Sequence, residues 1–382
     1  MKISHEDIQK DEIFKNFIKS RELRESTEIL YARRLTDFCN FIDKDPTELI
    51  EESLKEQNSK IEDQTAYNDV ENYLDVLKGE GKSFSTIKNR YDTLKAFFNE
   101  FNVSIPHIKN PISSESENLA LEIPDINHVK KAVQVSGLRD KAIILLHFTS
   151  SMGAIELRYL TYGDFVNSID EYLNLSEEEK LDLSMVASEL DKVEDVVGTW
   201  KIKKIKSGID YTTFNSPEST HAILDYLMER EMNNKPVTSF EDPLFVNTRN
   251  KPLEKSVHGA IFKRVNDKAG FKYLDGKRRF FTSGTLRKTF EKSMYNAGLD
   301  KITINSLLGY KIKDSSISDL KNVEDLKDQY INALEFLELE NKNTNPEYDL
   351  LLAKFNENDE ELRQIKEHVK YLEEQMNLLN NI

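Results

Sequence analysis

The run Asp140 to Phe148, DKAIILLHF, is apolar on nearly every face of a helix. A helix of that kind has no side to turn toward water, so other elements must enclose it. It predicts the buried central helix of a multi-helix domain. Upstream, residues 104–125 carry Pro106, Pro111, Pro124 and a polar Ser-Glu run. That composition predicts a linker, so the chain divides into an earlier unit and the domain that holds the central helix.

The earlier unit, residues 1–103, predicts a small helical bundle. Ser26-Thr27 reads as the cap of a helix with Leu30, Tyr31, Leu35, Phe38, Phe41 and Ile42 at helical spacing. Asp45-Pro46-Thr47 opens a second helix through Leu49, Ile50 and Leu54, and a third carries Val70, Tyr73, Leu74 and Leu77. Ser85-Thr86 reads as the cap of a fourth, with Ile87, Tyr91, Leu94, Phe97, Phe98 and Phe101 on one side. Four helices with aromatic seams can bury a common core.

Composition narrows the function classes. The 382 residues carry a formal charge of -15, with 38% hydrophobic and 32% charged residues. This describes a water-soluble chain, and no stretch has the length of a membrane span. The N-terminus MKISHEDIQK lacks the apolar stretch of a signal peptide. Cys39 is the single cysteine, which excludes an internal disulfide framework and fits a reducing, cytoplasmic compartment. Seven histidines without metal-ligand spacing predict no metal and no other cofactor. The acidic balance argues against coating nucleic acid indiscriminately, yet permits positive charge concentrated on one face.

Past the central helix, residues 166–198 form an acidic insertion with one short helix expected from Ser176 to Leu190. Trp200 to Lys206 alternates apolar with basic residues, Ser207-Gly208 makes a turn, and Tyr211 to Phe214 returns. This pattern predicts a β-hairpin. A helix from Pro217 and another from Val257 to Ala269 follow. The expected fold class is mainly α with a small β-sheet.

Charge concentrates where the acidic average does not prepare for it. Between Lys263 and Lys292 there are ten Lys/Arg against three Asp/Glu. Lys277, Arg278, Arg279 and Lys288 belong to this island, a candidate phosphate-binding face.

Within and just after that island the chain reads Gly284-Thr285-Leu286-Arg287, Ala297-Gly298-Leu299-Asp300 and Leu307-Leu308-Gly309-Tyr310. The order resembles the second catalytic box of the tyrosine recombinase (phage integrase) family: His-x-Leu-Arg, an Ala-Gly-x-Asp turn, and Leu-Leu-Gly-His before a nucleophilic tyrosine. Ser151 to Leu160, with Glu156, Leu157 and Leu160 in place, is similar to the family's first box. The pattern Thr27, Tyr31, Leu35, Phe38 and the later Ser85-Thr86-Ile87 resembles the core-binding domain of archaeal-type integrases.

The resemblance implies a helical core-binding (SAM-like) domain over 1–103, a linker over 104–125, and a catalytic-type domain over 126–340. It implies double-stranded DNA as partner, with phosphate contacts from Arg33, Arg34, Lys88 and Arg90 in the first domain. In the second, Lys203 and Lys204 of the hairpin join Lys277, Arg278, Arg279 and Lys288. Lys206, before Ser207-Gly208, matches the family lysine that protonates the leaving 5′ hydroxyl, and Arg287 matches the second arginine.

Other family positions depart. The first arginine falls on Gly153 or Ala154, the two histidines on Gly284 and Tyr310, and the archaeal-type nucleophile on Ser318 or Asp319. Arg158 lies two residues past Glu156, about 200° around a helix from it. The leading expectation is a DNA-binding protein on an integrase scaffold, cleavage-deficient, acting in DNA integration or its regulation, with a catalytically complete recombinase as a further partner. An active recombinase attacking through Tyr310 or Tyr330 is the second. A protein-interaction module without DNA binding is the third.

The last 37 residues, 346–382, place Leu351, Phe355, Leu362, Ile365, Val369, Leu372, Met376 and Leu379 on a seven-residue a/d spacing interrupted at Asn358. This predicts a coiled-coil arm and a homo-oligomer. Deleting 346–382 is expected to lower the mass measured by light scattering from dimer to monomer. An unchanged monomer before and after deletion rejects the oligomer.

Overall fold

The computed structural model describes residues 2–56, 58–60, 63–106, 122–274, 278–311 and 322–339. Its contacts divide into two compact units, Met1–Asn118 and Leu119–Ile382. The expected coiled-coil arm over 346–382 lies outside the described residues.

The first unit holds helices α1 (His5–Lys10), α2 (Glu12–Lys19), α3 (Glu25–Ile42), α4 (Pro46–Lys55), α5 (Thr65–Gly79) and α6 (Phe84–Glu100). The two short leading helices extend the four predicted from sequence. They belong to the core, since Ile8, Phe14 and Phe17 are buried and Phe17 meets Phe97 edge-on at 5.4 Å. Two predicted caps shift. α3 starts before Ser26, after an Arg24 that makes no side-chain cap bond. α6 is capped by Ser83, whose hydroxyl accepts from Thr86 N, rather than by Ser85. Asp45 does cap α4, in a reciprocal box with Glu48 and with Pro46 in the first turn.

The second unit is built around α8 (Leu138–Ser150), where residues 142 to 150 are all buried. Around it pack α7 (Ile126–Gln134), α12 (Pro217–Met232), α14 (Ser283–Asn296) and strand β2. Strands β1 (Gly198–Lys203) and β2 (Asp210–Asn215) pair antiparallel with Trp200 opposite Thr213. Trp200 is buried, and its indole N–H donates to Asn215 Oδ1 at 2.6 Å, which satisfies the ring's one polar atom. A second hairpin of two-residue strands, β3 (Tyr273–Leu274) and β4 (Arg278–Arg279), precedes α14. It is too short to leave an alternating signature in sequence.

The acidic insertion departs from expectation. Its helix, α11 (Leu183–Leu190), begins at an Asp182 cap; Ser176 instead accepts from Glu179 N at 3.3 Å, ahead of the short 3-10 turn at Glu179–Leu181. Leu183, Val186, Leu190, Val196 and Val197 enter the domain core. Most of the charged residues are exposed, while Lys180 is buried and paired with Asp170 and Glu177.

Tyr330, on α16 (Val323–Asn332), is fully buried against Phe214, and its hydroxyl donates to Thr149 O at 2.9 Å. It ties the last described helix to the end of α8.

A buried histidine pair joins α8 to α13 (Lys255–Lys268): His147 Nε2 and His258 Nε2 stand 2.8 Å apart. His147 Nδ1 lies 3.0 Å from Met152 O, a carbonyl that can only accept. The network therefore assigns the His147 proton to Nδ1, leaving His258 Nε2–H to donate to His147 Nε2. Both rings are neutral in this arrangement. Burial, then the Arg158 charge, pushes His258 down to about 4 from an ordinary 6.5. Burial and His258 hold His147 well below the usual range.

The unfolded chain takes up protons near pH 6.5 that the folded pair refuses. Stability present above pH 6.5 is thus lost as pH falls toward 4, by up to about 3 kcal/mol for His258. Thermal melts between pH 7 and 4.5 should fall more steeply for the natural chain than for His258→Gln, which keeps a donor but does not titrate. Equal slopes reject the assignment.

Candidate nucleic-acid interface

Helix α14 starts in a reciprocal box in which Thr282 Oγ1 accepts from Thr285 N at 3.0 Å. It ends with Gly298 at φ 84°, where Gly298 N donates to Tyr295 O and Leu299 N to Met294 O. The chain turns at once into α15 (Lys301–Leu307), capped by Asp300, which accepts from Ile302 N at 2.7 Å and Thr303 N at 2.9 Å. α15 closes the same way: Gly309 has φ 59°, Gly309 N donates to Ser306 O and Tyr310 N to Asn305 O. Both endings are the paired-bond Schellman stop that a left-handed glycine allows. The Ala-Gly-x-Asp and Leu-Leu-Gly steps are thus turn chemistry as well as family letters.

The second stop builds the site. Arg287, in the second turn of α14, donates through Nη2 to Leu308 O. Lys204, at the end of the hairpin's first strand, donates through Nζ to Gly309 O. Each of these cations lies 5.0 Å from the ring centroid of Tyr310, which is 47% exposed. Lys204 also lies 5.4 Å from the ring centroid of Tyr211. Burial and the neighbouring Arg287 lower the Lys204 ammonium, partly offset by Glu156. Arg287 Nε and the Tyr211 hydroxyl are buried with no hydrogen-bond partner.

Glu156 on α9 (Ala154–Arg158) closes the other side. Its Oε1 accepts from Ile205 N at 3.3 Å. A Cβ on Gly153 would stand 2.1 Å from Glu156 Oε2 and 3.9 Å from Arg287 Nη1, so a carboxylate fills the space beside Gly153 that faces Arg287. Gly284 differs: a Cβ there would meet only Thr282 Oγ1, at 3.7 Å. Arg158 is engaged elsewhere, donating to Ala154 O and Leu253 O.

The predicted residues separate into those that converge and those that do not. Arg287 and Tyr310 meet. The hairpin lysine that joins them is Lys204, first read as a phosphate contact, while Lys206 stands in the exposed turn. Spacing could not distinguish the two, because the strand ends at Lys203 and the inward-pointing residue depends on where the turn begins. Tyr330 is apart from the cluster, in the core. Ser318, Asp319 and Lys277 lie outside the described residues.

Among the outer basic residues, Lys203, Arg278 and Lys288 are exposed. Arg279 is half-buried, with an Nε that has no partner. It lines a shallow depression with Lys255, Ser256, Gly259 and Lys263, a basic face of α13 that sequence reading named only in part. In the first unit Arg33 is exposed and Lys88 pairs with Asp92 at 2.8 Å. Arg34 is spent on Asn89 O and Thr93 Oγ1, both at 3.0 Å. Arg90 is held by Asp37 at 2.5 Å and the Tyr73 hydroxyl at 2.6 Å.

The arrangement offers two adjacent cations, a phenol and a half-open mouth, which suits one phosphodiester. Among the described residues no group of three His, Cys, Asp or Glu could hold a metal. No described helix is long and apolar enough to cross a membrane.

The sequence model of the Phage integrase family matches residues 119–317, which includes α14, α15 and the hairpin. The chain belongs to the phage integrase family. A putative tyrosine recombinase of Caldanaerobacter subterraneus subsp. tengcongensis is 25% identical over 258 residues, 64% of this chain and 73% of that protein. Tyrosine recombinase XerA of Saccharolobus solfataricus is 25% identical over 310 residues, 80% of this chain and 86% of the relative. Two solved structures share the fold at a TM-score of 0.50. One is XerH site-specific recombinase bound to palindromic difH substrate, at 16% identity over 86% of this chain and 80% of that one. The other is a λ integrase dimer bound to a COC′ core site, at 14% identity over 81% and 95%.

Gly309 is the position on which this integrase-family site is most exposed to a small change. An added Cβ would fall 2.6 Å from Tyr211 Cγ and 2.9 Å from Lys204 Cε, in a backbone region L-residues disfavour. Gly309→Ala should cost about 2 kcal/mol or more in chemical denaturation. Gly284→Ala, in open space on a helix, should change stability by less than about 1 kcal/mol. Equal effects would mean that the second stop is not under this constraint.

Proposed function

We propose that this integrase-family chain binds duplex DNA at the Arg287–Lys204–Tyr310 mouth and does not cleave it efficiently. The carrying observation is the composition of that mouth: two cations converge, and the third side presents Gly153 with the Glu156 carboxylate. Cleavage builds negative charge on the phosphate, and guanidinium groups stabilise it best. Losing one such stabiliser costs on the order of 3 kcal/mol, a hundredfold or more in rate.

Ground-state binding is less demanding. One phosphate can be held by Arg287 and Lys204, while Lys203, Lys263, Arg278 and Lys288 neutralise its neighbours. The structures of XerH bound to its difH substrate and of λ integrase bound to DNA support DNA as the ligand class. Such a protein would act in DNA integration or recombination, or in their regulation beside a catalytically complete recombinase.

A second reading keeps cleavage, with Tyr310 attacking. What favours it is the half-exposed position of Tyr310 beside both cations. Tyr330 does not share that advantage, because its hydroxyl is buried and committed to Thr149 O.

Two measurements test the proposal. Gel retardation across a salt series should show binding that weakens with salt, and Lys203→Ala, Lys263→Ala and Lys288→Ala together should lower the slope by about 2.7. No retardation at low salt rejects DNA binding. Incubation with nicked duplexes carrying candidate attachment DNA, followed by denaturing electrophoresis, should give no covalent adduct. An adduct lost in Tyr310→Phe would establish the second reading.

A further inference from the structure

The hairpin tip carries an apolar side chain flanked in sequence by lysines. From the last residue of β1 the chain reads Lys203-Lys204-Ile205-Lys206-Ser207-Gly208, and Ile205 is 45% exposed. A single exposed isoleucine is unremarkable on a protein surface. Three features set this one apart.

Its backbone is fixed, since Ile205 N donates to Glu156 Oε1 and the turn is closed by Gly208 N to Lys204 O at 2.7 Å and Lys204 N to Ile209 O at 2.8 Å. Gly208, at φ 69°, lets the loop reverse so tightly. Its sequence neighbour Lys204 is tied to Gly309 O at the mouth. Its flanks, Lys203 and Lys206, are exposed ammonium-bearing side chains. On the DNA-binding reading, a phosphate held by Lys204 would lie one residue along the chain from Ile205.

We propose that Ile205 is a wedge that inserts between base pairs beside the bound phosphate, unstacking one step of duplex DNA. The inference rests on the DNA-binding reading above and adds a specificity-determining residue to it. Lysines supply affinity that depends on salt and ignores sequence. An apolar side chain pressed between bases supplies neither charge nor hydrogen bonds. It selects steps that unstack cheaply, the pyrimidine–purine steps.

The test separates the two layers. A nicked plasmid is sealed by ligase in the presence of saturating protein, and the linking number is read after protein removal. Gel retardation on the same DNA measures binding. The natural chain should lower the linking number in proportion to bound protein. Ile205→Ala should reduce that change on the order of threefold or more with the salt slope of binding intact, and Ile205→Leu should restore it. Binding without a linking-number change, or a full change in Ile205→Ala, overturns the wedge and leaves DNA binding standing. Absence of binding by the natural chain overturns the DNA-binding reading and the wedge with it.

Discussion

Two consecutive backbone carbonyls, Leu308 O and Gly309 O, hold the two cations of the site. Arg287 and Lys204 repel one another, and bringing both out of water adds a further cost. The end of α15 offsets this, because carbonyls leaving a helix C-terminus carry partial negative charge and accept charge-assisted bonds. The Tyr310 face, 5.0 Å from each cation, adds a quadrupole of the right sign. The second unit is arranged to keep those carbonyls in place. Asp300 starts α15, Gly309 stops it, and the hairpin lays Lys204 and Tyr211 against the stop.

The rest of the second unit serves that arrangement at one remove. α8 is enclosed by α7, α12, α14 and β2, so the helix bearing Arg287 and a hairpin strand share one rigid support. The His147–His258 bond and the Tyr330 bond to Thr149 O both fasten neighbours to the last turns of α8. In the first unit Arg34 and Arg90 are likewise bonded to internal partners. Positive charge in a sequence marks candidates for phosphate contact, and only the fold reveals which of them are already employed.

What could be read from sequence followed from strong local signals. The all-apolar run gave α8, the alternation around Trp200 gave the hairpin, and the Asp45-Pro46 step gave α4. The signals that failed were those with near-equal local competitors. Ser83 and Ser85 can each cap α6, and only backbone geometry chose the first. Ser176 precedes three glutamates and bonds Glu179, but the helix starts at Leu183, where the apolar residues that reach the core begin. Lys204 and Lys206 sit two apart near a strand end, where the start of the turn decides which points inward. Glu156 was recognised as a family letter, yet its bond from Ile205 N and the approach of Arg287 to the adjoining Gly153 are long-range facts with no local trace.

Gly284 and Gly153 have unequal futures under substitution. At 284 a larger side chain enters open space. At 153 any side chain meets Glu156 Oε2, and although that carboxylate can swing aside, doing so releases Ile205 N. A side chain at 284 is thus a local event, whereas one at 153 is transmitted through Glu156 to the hairpin tip, a part of the chain remote from it in sequence.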